Sequence, residues 1–301
     1  MKSKLSVIYI LLAGAFWGSS CLFVNKLTAI GFDPIQCTAI RVIIGTVILN
    51  AAMLIKGRGI SLYKISLRSL LLAATSGICS VLAMCIFYYN SMTETSAAVS
   101  AILLYTAPIF VMIMSVIFFK EKITAKKITA FIVAIVGCAL VSGIATGASI
   151  NAKGIIFGVL SGFAYSLYGI LTTFYMKHNS ETLTFSALNF VFASIGVLPL
   201  LDYKGFSAVL ISVDNITLLV LLFLLFSLCT AVLPYVFYTK GLSGVRPDVA
   251  SILAFSEPLV AALFGITILK QPFDIFQGVG IALVVLAIVI LNIKKNKELN
   301  L

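Results

Sequence analysis

Two charged residues, Glu257 and Arg41, lie inside long apolar stretches of the sequence, where charged side chains are rare and mark candidate functional sites. Glu257 follows the start of its stretch by about ten residues, which places it about 15 Å deep if the stretch is a helix in a membrane. An ionised carboxylate at that depth is costly unless it is paired or faces water. We therefore consider Glu257 a candidate proton-coupling or cation-binding residue, and a structural carboxylate tied to a neighbouring helix is the alternative.

Arg41 is the one cation that the sequence places well inside such a stretch, roughly 10 Å from the nearer end of its helix. At that depth its long side chain is within reach of Glu257, so an ion pair between the two is geometrically allowed. The alternative, which we prefer, is a structural role in which Arg41 extends outward or bonds helix-end carbonyls.

Aromatic residues recur at helical spacing in several apolar stretches. A cavity lined in this way could stack a ring or hold an ammonium group, with Glu257 as the counter-ion. Tyrosines near helix ends are usually interfacial anchors, so we assign Tyr175 to the membrane interface. The candidate substrate-binding residues are Trp17, Tyr88, Tyr105, Tyr165, Tyr168, Tyr235, Tyr238 and Glu257.

Pro108 and Pro258 each remove a backbone donor and so free the carbonyls of Leu104 and Ala254. They either bend their helices around a site or kink them for packing. With Arg41, they form our set of structural or coupling residues. The sequence has no phosphate-binding loop and no GxSxG or HExxH motif, so we predict no catalytic residue, no metal site and no cofactor.

The composition determines which elements must position these residues. The chain is 61% hydrophobic and 10% charged, with a mean hydropathy of +1.16, which is far outside the usage of soluble proteins. Apolar stretches long enough to cross a bilayer as helices recur along the whole chain. We therefore predict an all-α membrane protein with ten transmembrane helices, at about 6–27, 34–55, 67–90, 97–119, 127–146, 154–176, 182–201, 215–239, 248–269 and 273–293.

The net charge of +11 follows the positive-inside rule. Sorting the 21 Lys and Arg residues into alternate loops places 16 on the side of both termini and 4 on the other side, with Arg41 inside the membrane. The sequence thus predicts a multi-pass protein of the cytoplasmic membrane with both termini in the cytoplasm. Because the loops account for the positive charge, nucleic-acid binding is excluded.

The sequence repeats itself. Shifting the first half by 150 positions aligns Pro108 with Pro258 and Lys120 with Lys270. Each repeat holds five predicted helices, and because five is odd the second repeat must be inverted in the membrane. Inverted repeats are typical of secondary transporters, since two similar halves can open one central site to either side in turn.

These motifs carry a family resemblance. The AFWG segment, the arginine of AIRVIIG, and the paired YTAP...FFKEK and FSEP...ILKQP segments resemble the drug/metabolite transporter superfamily, in its EamA-like branch. The resemblance covers about 7–143 and 154–292, and it implies two inverted five-helix EamA-like repeats around a central cavity that moves small metabolites, often outward. We assign the repeats to residues 1–147 and 148–301. Gln271 departs from the family pattern, which commonly has an acidic residue there, and this weakens any role for that position.

We therefore predict a secondary transporter of small polar metabolites, with amino acids or amine-containing compounds first, export as the expected direction, and alternating access as the mechanism. Proton coupling through Glu257 is a further hypothesis. An integral-membrane lipid-handling protein or enzyme is the alternative, and a channel is a third. The expected partners are a small-molecule substrate and the lipid bilayer, not nucleic acid, and a homodimer is compatible with the sequence.

Overall fold

The computed structural model describes residues 2–55, 65–141, 151–177, 181–270 and 274–292, and every regular element within these ranges is a helix. Gln271 lies outside the described residues. The all-α prediction is confirmed.

Helices of the first half cover each of its five predicted apolar stretches. They are α1 (Lys2–Gly18), α2 (Ser20–Ile30), α3 (Pro34–Met53), α4 (Leu67–Thr75), a π-helical segment (Ser76–Leu82), α5 (Ala83–Glu94), α6 (Ala97–Leu104), α7 (Ala107–Phe119) and α8 (Ala125–Val141).

The second half follows the same plan, except that α9 is unbroken where the first half has α1 and α2, and that the short helix α11 is added. Its elements are α9 (Ala152–Met176), α10 (Thr182–Val197), a 3-10 turn (Leu198–Leu200), α11 (Tyr203–Ser212), α12 (Ile216–Ser227), a π-helical segment (Leu228–Val232), α13 (Leu233–Leu242), α14 (Pro247–Leu253), α15 (Ser256–Thr267) and α16 (Ile275–Asn292).

Eight helical stretches of the described residues are long and apolar enough to cross a membrane. The fifth and tenth predicted stretches are covered by shorter helices, the 17-residue α8 and the apolar segment Ile275–Leu291. The fold is therefore consistent with ten spans. Three predicted ends fell short, because the first stretch continues to Ile30, the third to Glu94 and the eighth to Leu242.

Helix α11 was not predicted, since the sequence between the seventh and eighth stretches was assigned to a connection. Asp202 caps this helix by accepting a hydrogen bond from the Lys204 amide at 3.2 Å. The ring of Phe206 packs on Phe32, with 5.5 Å between centroids. This short helix was not recognised in a search for membrane spans because polar residues interrupt its apolar residues.

The two halves pack against each other in a reciprocal pattern. Helix α5 of the first half packs on α9, as α13 of the second half packs on α1. Helices α6 and α7 also pack on α9, as α14 and α15 pack on α1. Two further pairs join equivalent helices of the two halves: α3 packs on α10, and α8 packs on α16. This exchange of equivalent helices is the arrangement expected of inverted repeats.

Local backbone geometry repeats as well. Lys120 and Lys270, which the 150-residue shift aligns, both have a φ of 55°, a left-handed conformation that non-glycine residues seldom adopt. The π-helical segments Ser76–Leu82 and Leu228–Val232 also occupy related positions in the third and eighth stretches. We call the end where α7 joins α8 the basic end, after Lys120, Lys122 and Lys126.

Candidate functional site

Glu257 lies directly after a break in the ninth apolar stretch. Helix α14 ends at Leu253 and α15 begins at Ser256, so Glu257 is in the first turn of α15 and is half-buried. Its amide donates a hydrogen bond to the Ala254 carbonyl at 2.9 Å, so the carbonyl that Pro258 was expected to free has a partner. The helix dipole favours a carboxylate in a first turn, and secondary transporters bind ions and substrates at broken helices.

The fourth stretch is broken at the equivalent place. Helix α6 ends at Leu104 and α7 begins at Ala107, with Pro108 in the first turn of α7. At the break, the Ile109 amide donates to the Thr106 carbonyl at 2.9 Å. Each proline thus follows a helix break, as expected of a residue that disfavours helix before it. At the position of Glu257 the first half has Ala107, so the charge belongs to one half only.

Two glycines of α1 allow it to approach the break that precedes Glu257. A Cβ on Gly14 would lie 3.0 Å from the Ala254 carbonyl oxygen and 3.1 Å from the Glu257 nitrogen. A Cβ on Gly18 would lie 2.9 Å from Cβ of Val260. The Ser256 hydroxyl donates to the Leu11 carbonyl at 3.1 Å across the same contact. The AFWG segment therefore packs helix α1 against the backbone around Glu257.

Gly162 of α9 makes the equivalent contact at the other break. A Cβ there would lie 2.8 Å from the Thr106 hydroxyl, 2.9 Å from the Leu103 carbonyl oxygen and 3.1 Å from the Leu104 carbonyl oxygen. Leu104 is the residue that the 150-residue shift aligns with Ala254. Both broken helices are thus held by a close, glycine-mediated contact with the first helix of the opposite half.

Five of the predicted aromatic residues form one cluster between α1, α9 and α13. The Trp17 ring lies 5.9 Å from Tyr165, 5.3 Å from Tyr235 and 5.4 Å from Tyr238, measured between centroids. Tyr168 lies 4.8 Å from Tyr235 and 6.0 Å from Tyr238. Such spacings and their tilted or edge-on geometries are those that aromatic pairs prefer. We call these five residues the aromatic cluster.

The hydroxyl groups of the aromatic cluster differ in their surroundings. The Tyr168 hydroxyl pairs with the Thr239 hydroxyl at 2.8 Å, and Thr239 donates in turn to the Tyr235 carbonyl at 2.7 Å. The Tyr165 hydroxyl has no hydrogen-bond partner in the described part of the chain. Tyr165 is half-buried and within electrostatic range of Glu257, and its hydroxyl is a donor and acceptor that the described residues leave unused.

Arg41 also faces this region, and its hydrogen-bond partner is a group that the sequence did not indicate. Its Nη2 donates to the Cys85 thiol at 2.9 Å. Glu257 and Tyr235 are within its electrostatic range, yet no Arg41–Glu257 ion pair within 4.0 Å is among those formed by the described residues. In this conformation the two opposite charges therefore lie near each other without direct contact.

The remaining predicted tyrosines are distributed around the cluster. Tyr88 is half-buried on α5 and within electrostatic range of Glu257. Tyr105 is at the fourth-stretch break, where its ring packs on Phe255 at 5.3 Å. The assignment of Tyr175 to the membrane interface was wrong, because its side chain is only 1% exposed and packs on Phe185 at 4.6 Å. The position in sequence did not show that this helix end is covered by α10.

The resulting site combines one carboxylate at a helix break, one guanidinium within its electrostatic range and a cluster of aromatic rings packed on one another. These groups suit a small molecule that carries an ammonium group, by ion pairing and cation-π attraction. No group of three or more His, Cys, Asp or Glu residues that could hold a metal ion occurs among the described residues. Sequence reasoning missed Cys85 and Thr239, since a lone thiol and a lone hydroxyl carry no spacing signal.

Comparison with known proteins identifies the family. The EamA-like transporter family matches residues 4–143 and 152–293. "Uncharacterized transporter YwfM" of Bacillus subtilis (strain 168) is 25% identical over 99% of this chain and 97% of that protein. An "Uncharacterized transporter" of Clostridium kluyveri is 27% identical over 99% and 96%, and one of Archaeoglobus fulgidus is 28% identical over 94% and 97%.

The fold is also found among solved structures. A crystal structure of a protein 14% identical to this chain superimposes with a TM-score of 0.76, covering 95% of each chain. At this identity the likeness shows the fold alone.

Proposed function

The chain belongs to the EamA-like transporter family, and from that premise we propose that it is a secondary carrier that moves a small polar metabolite by alternating access. Membership in a transporter family confirms that the protein is not an enzyme. The observation that carries the proposal is the position of Glu257 at a helix break against which α1 of the opposite half packs, with Trp17 of the aromatic cluster on α1 between the two contacting glycines. Movement of one half against the other would change access to this site.

For the substrate we propose an amino acid or another amine-containing metabolite. Glu257, the aromatic cluster and the available Tyr165 hydroxyl would hold the ammonium group. Arg41, which is not ion-paired to Glu257 in this conformation, would attract a substrate carboxylate. A simple amine would use the first contact only, whereas an amino acid would use both.

We further propose that the protein lies in the cytoplasmic membrane with both termini inside, and that it exports its substrate with Glu257 as the proton-coupling residue. The distribution of Lys and Arg supports the orientation, and the single carboxylate at the helix break supports the coupling role. The repeats 1–147 and 148–301 would be the two moving units.

Counterflow in proteoliposomes tests the carrier proposal. Vesicles are loaded with an unlabelled pool of amino acids, amines, nucleosides or sugars, and entry of the matching labelled compound is followed. We expect saturable entry with the amino-acid or amine pool, because a carrier exchanges substrate across one site. Entry that does not saturate would indicate a channel, and no exchange in any pool by folded protein would contradict a carrier of these metabolites.

The same vesicles test proton coupling through Glu257. Net uptake driven by an imposed pH gradient should be lost in Glu257→Gln, while exchange at equal pH stays measurable. Glu94→Gln, which changes a carboxylate at the bundle end opposite the basic end, is the control and should behave like wild type. Unchanged dependence on the pH gradient in Glu257→Gln would remove the coupling role.

A further inference from the structure

Four charged residues form an ion network at the basic end. Lys127 of α8 donates directly to the Asp248 carboxylate, and its Nζ lies 3.7 Å from Oε2 of Glu121. Arg246 Nε lies 3.2 Å from Oε2 of Glu121 and 3.8 Å from Oδ1 of Asp248. Each acid thus faces both bases. We call these four residues the charge network.

The charge network joins the two halves of the chain. Glu121 and Lys127 come from the α7–α8 connection and α8, and Arg246 and Asp248 come from the start of α14. The side chains of Lys127 and Asp248 are 3% and 2% exposed, so this is a buried interface. Removing one member of a buried ion pair leaves the other charge uncompensated, which is strongly unfavourable.

The ion contact between the halves at the opposite end of the bundle is more exposed. There Lys153 pairs with Glu94 at 2.6 Å, also between the halves, but the Lys153 side chain is 65% exposed. Asn151 adds a hydrogen bond to the same carboxylate at 2.8 Å. Exposed ion pairs contribute little to stability because water and salt screen them. The ion contacts between the halves are therefore buried at the basic end and exposed at the opposite end.

The sequences of the two halves differ at the positions of the charge network. At the positions that the 150-residue shift aligns with Lys127, Arg246 and Asp248, the chain has Gln277, Ser96 and Ala98. Ser96 caps α6 by accepting a hydrogen bond from the Val99 amide at 3.2 Å, whereas Arg246 at the start of α14 makes no such bond. Before α14 the second half thus lacks the capping side chain that Ser96 provides before α6 in the first half. In its place it has Arg246, a member of the charge network.

We propose that the charge network is the gate of the basic end, which holds that end closed in this conformation and separates each time the site opens toward it. The proposal rests on the alternating-access function, since a gate needs two states. Asp248 and Glu257 lie on α14 and α15, the two parts of one broken helix, so separation at Asp248 would move the start of the same stretch that holds the site. The charge network belongs to the moving interface between the halves.

Thiol accessibility tests the gate without any substrate. The six native cysteines are replaced, and Ser251→Cys places a thiol on α14 less than one helical turn beyond Asp248, where Ser251 is 6% exposed. A membrane-impermeant maleimide is applied from the basic end, with inverted vesicles and intact cells as the two orientations. We expect Asp248→Asn to accelerate labelling at least about tenfold over the parent, because it removes the carboxylate to which Lys127 donates directly and leaves only the longer contact with Glu121 in the closed state.

Two further variants separate gating from misfolding. The exchange Lys127→Asp with Asp248→Lys should return labelling towards the parent rate, and Glu94→Gln at the opposite end should leave it unchanged. Equal labelling in Asp248→Asn and the parent, or equal acceleration by Glu94→Gln, would overturn the gate. Unchanged labelling beside saturable counterflow would remove the gate but keep the carrier, whereas faster labelling without counterflow in any pool would keep the gate and remove the carrier.

Discussion

Glu121 is the member of the charge network whose charge changes near neutral pH. Burial, together with the neighbouring Asp248 carboxylate, raises its pKa to about 7, against the opposing effect of Arg246 and Lys127. Its ordinary pKa is 4.5, so the folded protein holds this proton more tightly than the unfolded chain does. The contribution of Glu121 to stability is therefore greatest below pH 4.5 and is lost as the pH rises to about 7.

We accordingly expect the stability of wild type relative to Glu121→Gln to fall between pH 5 and pH 7, by on the order of 2 kcal/mol, and then to level off. Unfolding of the detergent-extracted proteins, measured at several pH values, checks this. Glu94→Gln serves as the matched control for the loss of one acidic side chain. A constant difference between wild type and Glu121→Gln over this range would contradict the raised pKa.

At the residue scale, the sequence located Glu257, Arg41 and the tyrosines because charged and aromatic residues stand out in apolar stretches. The sequence could not show which groups these side chains contact. The Arg41–Cys85 and Tyr168–Thr239 hydrogen bonds depend on which helices face each other, and a single sequence contains no direct record of that. The charge network could not be predicted for the same reason, since its members belong to two connections, and the helix starts after them, that are far apart in the sequence.

At the element scale, glycine-mediated contacts set how closely the first helix of each half approaches a break. Gly162→Ala should destabilise the protein by about 1–3 kcal/mol, because its Cβ would meet the Leu103 and Leu104 carbonyls at 2.9 and 3.1 Å. Gly169 lies on the same helix with its nearest neighbour 3.4 Å from a new Cβ, so Gly169→Ala is the matched control. It should be neutral or slightly stabilising, because Ala favours helix.

Thermal unfolding of the two alanine variants in detergent measures this difference. If Gly162→Ala and Gly169→Ala had the same effect, the close contact between α9 and the fourth-stretch break would not contribute as described.

Hydropathy predicted the apolar helices well, because a membrane span is a long signal. The helix breaks were only partly predictable: Pro108 and Pro258 indicated a disturbance but not whether it is a kink or a break. Three further elements have no comparable signal in the sequence, since they depend on local packing and on capping. They are the π-helical segments Ser76–Leu82 and Leu228–Val232 and helix α11.

At the scale of the whole molecule, two similar halves exchange helices around a site that is chemically unequal. The carboxylate is on the second half alone, and the aromatic cluster draws Trp17 from the first half and its tyrosines from the second. The ion contacts at the two ends differ as well, buried at the basic end and exposed at the other. Duplication explains the fold that the two halves share. In the proposed transport cycle, the differences between the halves would determine which substrate binds and which conformation is more stable.

Trp17 offers the most direct test that the substrate binds at Glu257 and the aromatic cluster, since it is the single tryptophan of the chain and contacts Tyr165. Tryptophan emission is recorded while the compounds active in counterflow are titrated into purified wild type and Glu257→Gln. We predict a saturable change in emission, with half-saturation at least about tenfold weaker in Glu257→Gln, the equivalent of one lost charge-assisted contact. A compound that exchanges in counterflow yet leaves Trp17 emission unchanged, or one that changes it with the same half-saturation in Glu257→Gln as in wild type, would contradict this site.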